Sequence, residues 1–211
     1  MSLFIEMLTV GPLQENCYLL FDEVTKHAVF VDPGEEAARL LEALEDKNLN
    51  LQAIWLTHSH FDHIGAIADI QSSLGNIPVY LHPADKVIFA NSYKAAQLWE
   101  IPFKQPQTET LDLADEQILK LADTEVQCLF TPGHAPGHIS FYISAQSLVL
   151  SGDALFKGGI GRTDFVMGNH QQLIQSIQTK LLMLPDETKV YSGHGQETTI
   201  DVEKRTNPFL V

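Results

Sequence analysis

The segment Thr57-His58-Ser59-His60-Phe61-Asp62-His63 decides how this sequence of 211 residues is interpreted. It places three imidazoles and one carboxylate within six residues, directly after the apolar run at residues 51–56. Alternate side chains of an extended chain point to the same side, so the first two histidines share a side. The aspartate and the last histidine begin the next predicted helix and can face the same cavity. The segment therefore predicts a metal site at the end of a buried strand.

Imidazole and carboxylate groups are ligands that suit zinc, and they also suit iron or manganese. At the His and Asp frequencies of this chain, a His-x-His-x-Asp-His pattern arises by chance in about one such chain in a thousand. The alternative is a surface loop that carries exposed histidines. The rarity of the pattern and its place after an apolar strand favour the metal site.

Three later residues are further candidate ligands. His134 lies in Thr131-Pro132-Gly133-His134, Asp153 in Ser151-Gly152-Asp153, and His194 in Ser192-Gly193-His194-Gly195. Each follows a predicted strand beside glycine, which allows the backbone to approach a crowded site. Taken singly, such a residue is more often structural. All three behind the His-x-His-x-Asp-His segment indicate one ligand set.

The apolar patterns predict an α/β fold. Strands are predicted over residues 3–10, 16–21, 28–31, 51–56, 79–81, 125–130, 140–143, 147–151 and 189–191. Helices are predicted over residues 35–47, over residues 62–74, and after Asn169, a predicted N-cap. Residues 91–110 are interpreted only as irregular or partly helical. Strand-rich blocks that alternate with helices in both halves predict two sheets sandwiched between helices, in one domain over residues 1–211.

At this point the sequence resembles the metallo-β-lactamase superfamily, and within it the glyoxalase II-like branch, over nearly the whole chain. The resemblance implies a four-layer αββα sandwich and two divalent metal ions, zinc first, that share a water or hydroxide. Asp32, in Val31-Asp32-Pro33-Gly34, would orient the metal-binding loop, with a simple turn aspartate as the alternative. The implied ligands are His58, His60 and His134 for one ion, Asp62, His63 and His194 for the other, and Asp153 between both.

Two stretches resemble the short form of glyoxalase II in particular, namely residues 152–165 with Gly161-Arg162-Thr163-Asp164-Phe165, and residues 203–210. The resemblance implies hydrolysis of a glutathione thioester such as S-lactoylglutathione, without the C-terminal helical domain of the longer form. Asp62 would then hold the nucleophile as well as bind metal. Arg162 could instead pair with Asp164, and Phe165 could belong to the core. The candidate substrate-binding residues are Arg162, Gly161, Phe165, Lys204 and Arg205.

Three alternative functions stay open. One is a persulfide dioxygenase with a single iron, because such enzymes resemble this sequence in the ligand pattern and in the Gly-Arg-Thr-Asp-Phe stretch. A phosphodiesterase or nuclease of the same fold is disfavoured by a formal charge of −14, because binding to polyanions requires cationic side chains. A non-catalytic metal-binding protein is disfavoured by the complete ligand set. The four other histidines, His27, His82, His138 and His170, are predicted to be structural, with His27 and His170 exposed.

Composition bounds the setting in which the protein acts. The charge disfavours partnership with nucleic acid or an anionic membrane, so the expected partner is a small molecule. No apolar run reaches the ~18 residues of a membrane-spanning helix. The N-terminus has no basic segment before its apolar run, which makes the cytoplasm the expected compartment. Cys17 and Cys128 are predicted to be buried, reduced thiols. A monomer and a dimer are equally compatible with the sequence.

Overall fold

The computed structural model describes residues 3–211, whose strands form two six-stranded sheets and a short hairpin. The first sheet contains, in spatial order, β1 (Phe4–Val10), β2 (Glu15–Phe21), β3 (His27–Val31), β4 (Asn50–Trp55), β5 (Val79–Leu81) and β6 (Thr110–Asp112). The second contains β14 (Thr198–Thr199), β13 (Lys189–Ser192), β10 (Leu148–Gly152), β9 (Ile139–Ile143), β8 (Thr124–Phe130) and β7 (Ile118–Leu121). The hairpin pairs β11 (Leu155–Phe156) with β12 (Gly159–Ile160).

Helices cover the outer faces of both sheets. They are α1 (Ala37–Asp46), α2 (Phe61–Ile64), α3 (Ile67–Leu74), α4 (Lys86–Phe89), α5 (Ser92–Leu98), α6 (His170–Ser176) and α7 (Ile200–Thr206). A π-helical turn, Ile177–Leu181, extends α6, and the side chain of Asn169 accepts a hydrogen bond from Gln172 N–H as its N-cap. Within the described residues, every helix is too short or too polar to cross a lipid bilayer.

Three separate hydrophobic cores show that the fold has four layers, as the sequence predicts. The first core packs Leu40 and Ile67 of the helices against one face of the first sheet. The second lies between the two sheets, where the rings of Trp55 and Phe141 are 5.8 Å apart. The third packs Leu173 and other residues of α6, its extension and α7 against the second sheet. The chain is therefore an αββα sandwich.

Most predicted elements are present, with ends shifted by one or two residues. Several short elements of the structure were not predicted. The predicted helix over residues 62–74 is divided into α2 and α3, because Ala66 N–H donates to the carbonyl of Pro33 instead of continuing the helix. The segment 91–110 contains α5, in agreement with a partly helical interpretation. The prediction omitted β6, β7, the β11–β12 hairpin, β14, α4 and α7.

The loops that carry the predicted ligands meet at one edge of the sandwich. They follow β4 in the first sheet and β8, β10 and β13 in the second. Backbone hydrogen bonds join the two sheets there, from Ile139 N–H to the carbonyl of Thr57 (2.7 Å) and from Asn16 N–H to the carbonyl of Gly193 (2.7 Å). The fold thus brings together side chains that are far apart in sequence.

Candidate metal centre

Three imidazoles from both sheets converge on one point. His58 and His60 follow β4, and His134 follows β8. The Nδ1 atom of His60 lies 3.1 Å from His58 Nε2 and 2.9 Å from His134 Nε2. We call these residues the three-histidine cluster. It is nearly closed to solvent, since His58 and His134 are buried and His60 is half-buried.

A second group, the Asp62 cluster, consists of Asp62, His63 and His194. Asp62 Oδ2 lies 3.5 Å from His194 Nε2 and 3.9 Å from His63 Nε2. Asp62 and His63 belong to α2, whereas His194 follows β13 in the other sheet. One ligand atom from each residue can therefore face a common point, as in the three-histidine cluster.

Asp153 lies between the two clusters. Its Oδ1 atom is 3.6 Å from His63 Nε2, and its Oδ2 atom is 3.5 Å from His134 Nε2 and 3.6 Å from His194 Nε2. The site is so crowded that a Cβ atom on Gly193 would collide with the Asp153 carboxylate. This glycine is therefore required by the close approach of the β13 loop to the centre.

The outward hydrogen bonds of the imidazoles determine which nitrogen carries the proton. His134 Nδ1–H donates to the carbonyl of Arg162 (2.7 Å), and His194 Nδ1–H donates to the carbonyl of Leu13 (3.2 Å). His58 Nδ1–H donates to the hydroxyl of Thr57 (3.0 Å). Because each outer nitrogen donates its proton to the protein, the Nε2 lone pair of each ring points into the centre.

The ligand atoms of this centre could hold metal ions. His63 Nε2 and Asp153 Oδ1 are buried without any hydrogen-bond partner, which is costly for polar atoms. Three imidazole nitrogens within about 3 Å of one another also lack enough protons to satisfy each other. A cation ligated by these atoms removes both deficits, and the mixed imidazole and carboxylate set suits zinc, iron or manganese.

The electrostatics of the centre favour the metal-binding form of some ligands and oppose it in others. Burial opposes protonation of His63, but Asp153 and Asp62 raise the pKa of that imidazole well above its ordinary value. Burial, together with the neighbouring imidazoles, lowers the pKa of His58 well below its ordinary value. Burial and His134 lower the pKa of His60 to about 3. Burial of Asp153 alone would raise its pKa, but His63, His134 and His194 hold the pKa of that carboxyl far below its usual range. His58 and His60 are thus neutral and Asp153 is ionised at neutral pH.

Asp32 holds the start of the metal-binding loop, in the position that the sequence suggests. Its Oδ1 atom accepts from Thr57 N–H (2.7 Å), and its Oδ2 atom accepts from the Thr57 hydroxyl (2.6 Å) and from His63 Nδ1–H (3.1 Å). Asp32 is close enough to His58 and His63 to belong to a ligand group. Because both of its oxygens already accept these hydrogen bonds, it orients ligands instead.

Asp85 joins two of the loops that carry ligands, and the sequence analysis did not predict this residue. The side chain is fully buried, and its Oδ2 atom accepts from Ser59 N–H (2.7 Å) and from the Ser59 hydroxyl (2.8 Å). Its Oδ1 atom accepts from Gly137 N–H (2.8 Å). One carboxylate thus joins the loop of His58 and His60 to the loop of His134. A buried strand followed by His82-Pro83-Ala84-Asp85 is the only signal in the sequence that could have identified it.

His138 also supports the centre, and the carboxyl of Glu15 is buried beside it without a hydrogen-bond partner. His138 is buried and is structural, as predicted, since its Nε2 atom accepts from Asp153 N–H (3.0 Å) while its Nδ1–H donates to Thr131. Glu15 was not predicted: its carboxyl is fully buried, 3.8 Å from His63 Nδ1, and burial raises its pKa well above the ordinary value. Of the other histidines, His170 is exposed as predicted, but His27 is half-buried because it begins the paired strand β3.

The structure places the predicted substrate-binding residues in differing surroundings. The guanidinium of Arg162 forms two hydrogen bonds of 3.0 Å with Asp164, which is the alternative that the sequence left open, and it stacks 4.5 Å from the centre of the Phe165 ring. Phe165 itself contacts two histidines of the three-histidine cluster. Gly161 N–H donates to the carbonyl of Ala154, so that donor is already used.

The two C-terminal cations have partners on the protein surface. Lys204 Nζ pairs with Asp186 at 2.6 Å, and Arg205 pairs with Asp201 one turn earlier on α7. Directly before these cations in the sequence, Glu203 is fully buried and accepts a hydrogen bond from Gly158 N–H (2.9 Å). The C-terminal segment therefore braces the β11–β12 hairpin, and its charged groups are engaged away from the ligand atoms.

Comparison with known proteins agrees with this geometry. The model of the metallo-beta-lactamase superfamily matches residues 10–194. The chain is 42% identical over 207 residues to "Hydroxyacylglutathione hydrolase GloC" of Haemophilus influenzae, covering 98% of this chain and 97% of that protein. It is 42% identical over 205 residues to "Probable metallo-hydrolase YqgX" of Bacillus subtilis, covering 96% and 95%.

Solved structures show the same fold. BLEG-1, described as a B3 metallo-beta-lactamase, matches with a TM-score of 0.91 and 38% identity over 99% of this chain and all of that one. TTHA1623 in a di-iron-bound form matches with a TM-score of 0.89 and 41% identity over 97% and 100%. ETHE1 from Myxococcus xanthus matches with a TM-score of 0.80 and 30% identity over 97% and 83%.

Metal binding is expected to stabilise the protein. Zinc, added to metal-free protein at about 100 times its dissociation constant, should increase the free energy of unfolding by about 2.7 kcal/mol per site. The increase should appear as a higher thermal unfolding midpoint that a chelator reverses and that Asp153→Asn diminishes. A midpoint that zinc, iron and manganese all leave unchanged would contradict the metal assignment.

Asp85→Asn is expected to loosen the three-histidine cluster. In either orientation, the amide nitrogen of asparagine faces the N–H of Ser59 or Gly137, so one buried donor loses its acceptor. We expect a loss of about 1–3 kcal/mol in the free energy of unfolding, measured with urea, and roughly 10- to 100-fold weaker zinc binding.

Asp22→Asn is the matched control for this substitution. Asp22 is also buried and also accepts from two backbone N–H groups and a hydroxyl, but all three donors meet a single oxygen that asparagine retains. Zinc affinity should be unchanged in this control. If the Asp85 variant binds zinc as tightly as the unsubstituted protein, the hydrogen bonds of Asp85 do not position the ligands.

Proposed function

The chain belongs to the metallo-beta-lactamase superfamily of hydrolases, and on that premise we propose that it hydrolyses glutathione thioesters, with S-lactoylglutathione as the first substrate to test. The observation that carries the proposal is the convergence of seven imidazole and carboxylate side chains whose free lone pairs face one another. The 42% identity to a relative named as a hydroxyacylglutathione hydrolase supports the thioester in particular.

We assign one divalent ion to the three-histidine cluster and a second to the Asp62 cluster, with Asp153 between them. When bound, such a pair supplies an electrophile for the substrate carbonyl and a water acidic enough to react near neutral pH. The chain fixes where these functions act. The outward hydrogen bonds of the histidines, to Thr57, Leu13 and the carbonyl of Arg162, prevent the rings from turning away.

Asp62 is the residue best placed to hold and orient the attacking water. Its carboxylate is half-buried at the open side of the centre, in contact with His194 and His63. Burial opposes its ionisation, but these two imidazoles hold the pKa of Asp62 below its usual range. The departing glutathione thiolate requires no general acid on the protein, because a thiol has a pKa near ~8.5.

A second function is favoured by one structural neighbour. ETHE1 from Myxococcus xanthus, at 30% identity, has the same fold, and this supports a mononuclear-iron persulfide dioxygenase as the alternative that the sequence left open. The two activities differ in their co-substrate, because a dioxygenase consumes oxygen and a hydrolase consumes water. Oxygen uptake with glutathione persulfide therefore distinguishes them without reference to the metal.

Metal-loaded protein is expected to cleave S-lactoylglutathione, with loss of the thioester absorbance. Asp153→Ala removes the carboxylate that contacts both clusters, so kcat/KM should fall by more than the roughly 10- to 100-fold typical of residues outside the ligand set. Asp22→Asn, on a distant turn, should retain full activity. Metal-loaded protein that leaves this thioester intact but consumes oxygen with glutathione persulfide would contradict the hydrolase and support the dioxygenase.

A further inference from the structure

The metal centre is open to solvent where three of its predicted ligands lie. His60, Asp62 and His194 are half-buried there, whereas His58 and His63 are completely enclosed. A substrate must therefore approach from the side of the half-buried residues, and the groups that surround this opening contact whatever part of the substrate extends beyond the reacting bond.

Phe165 forms one wall of the opening and leads to two exposed apolar side chains. Its ring lies 5.2 Å from that of His60, in an edge contact. The next two residues, Val166 and Met167, are 91% and 48% exposed. Gly168 N–H donates to the carbonyl of Phe165 (3.0 Å) and closes the turn. The turn therefore presents these two side chains to solvent beside the opening.

The end of α5 presents a second apolar pair near α2. Leu98 and Trp99 are 86% and 53% exposed. The ring of Trp99 lies 6.4 Å from that of Phe61, the residue between His60 and Asp62. Helix α5 packs on α2, which carries two of the predicted ligands. This second pair is thus attached to the same ligand-bearing segment that Phe165 contacts.

The cation beside this wall of the opening is already paired. Arg162, the cation beside Phe165, is neutralised by its two hydrogen bonds to Asp164. Its guanidinium lies over the Phe165 ring and supports that wall. Large apolar side chains exposed beside a reactive centre are typical of a binding surface for an apolar group.

We propose that Leu98, Trp99, Val166 and Met167, the apolar rim, bind the acyl group of the substrate. This inference rests on the proposed thioester hydrolysis and names its substrate class. Glutathione carries two carboxylates and an ammonium, so the acyl group is the half of the thioester that an uncharged, apolar surface accepts. The preferred substrates are therefore glutathione thioesters of longer, unsubstituted acyl chains, ahead of the short and hydroxylated lactoyl group.

The test compares S-acetyl-, S-butyryl- and S-hexanoylglutathione as substrates of the metal-loaded chain. We expect kcat/KM to rise roughly two- to fourfold for each added methylene, as apolar surface is removed from water. Val166→Ser with Met167→Ser, and separately Leu98→Ser with Trp99→Ser, should each reduce this rise by half or more. Val24→Ser, at a 76% exposed position on a distant turn, is the matched control and should preserve it.

Binding of the non-hydrolysable thioethers S-methyl- and S-hexylglutathione, measured by calorimetry, separates this inference from the proposed function. Turnover with no dependence on chain length, or a dependence that both double variants retain, would overturn the apolar rim while leaving thioester hydrolysis intact. A different outcome is that no thioester is turned over, while the hexyl compound binds more tightly than the methyl compound and the double variants lose this difference. That outcome would overturn the hydrolase and preserve the rim. A change from dimer to monomer in the double variants, with chain-length dependence unchanged, would identify a self-association surface instead.

Discussion

The structure depends on one electrostatic constraint, which is the crowding of imidazole and carboxylate ligand atoms at the edge of two sheets. Imidazole nitrogens lie about 3 Å apart in the three-histidine cluster, and Asp153 Oδ1 and His63 Nε2 are buried without partners. Such an arrangement is unfavourable in a protein alone and becomes favourable around cations. The need to bring these atoms together explains why glycine precedes His194 and why backbone hydrogen bonds join the two sheets at this edge.

The atoms behind the ligands are as important as the ligands themselves. Asp32 and Asp85 each accept several hydrogen bonds, and each joins segments that lie far apart in sequence. His138 holds the backbone of Asp153, and the carbonyl of Arg162 holds His134. The consequence is a site in which hydrogen bonds from the protein itself fix the orientation of the ligand rings, which lowers the cost of binding.

Much of this site could be predicted from the sequence, because its ligands occur in short motifs at strand ends. Four candidate ligands lie in residues 57–63, and the other three, His134, Asp153 and His194, lie beside glycine after later strands. The structure brings all seven side chains together, between two sheets that the apolar strands predict. Asp85 was not predicted, because a preceding buried strand is its only local signal and its donors Ser59 and Gly137 are 26 and 52 residues away. The pairing of Arg162 with Asp164 was one of two open alternatives, since composition cannot show whether a cation faces substrate or a neighbour.

Diffraction recorded above the zinc absorption edge, from crystals of the chain grown with zinc, tests the central claim most directly. The account predicts two anomalous peaks, one within the three-histidine cluster and one within the Asp62 cluster, with the Asp153 carboxylate between them. A single peak, or zinc bound away from these seven side chains, would contradict a two-metal centre and with it the proposed division of the ligands.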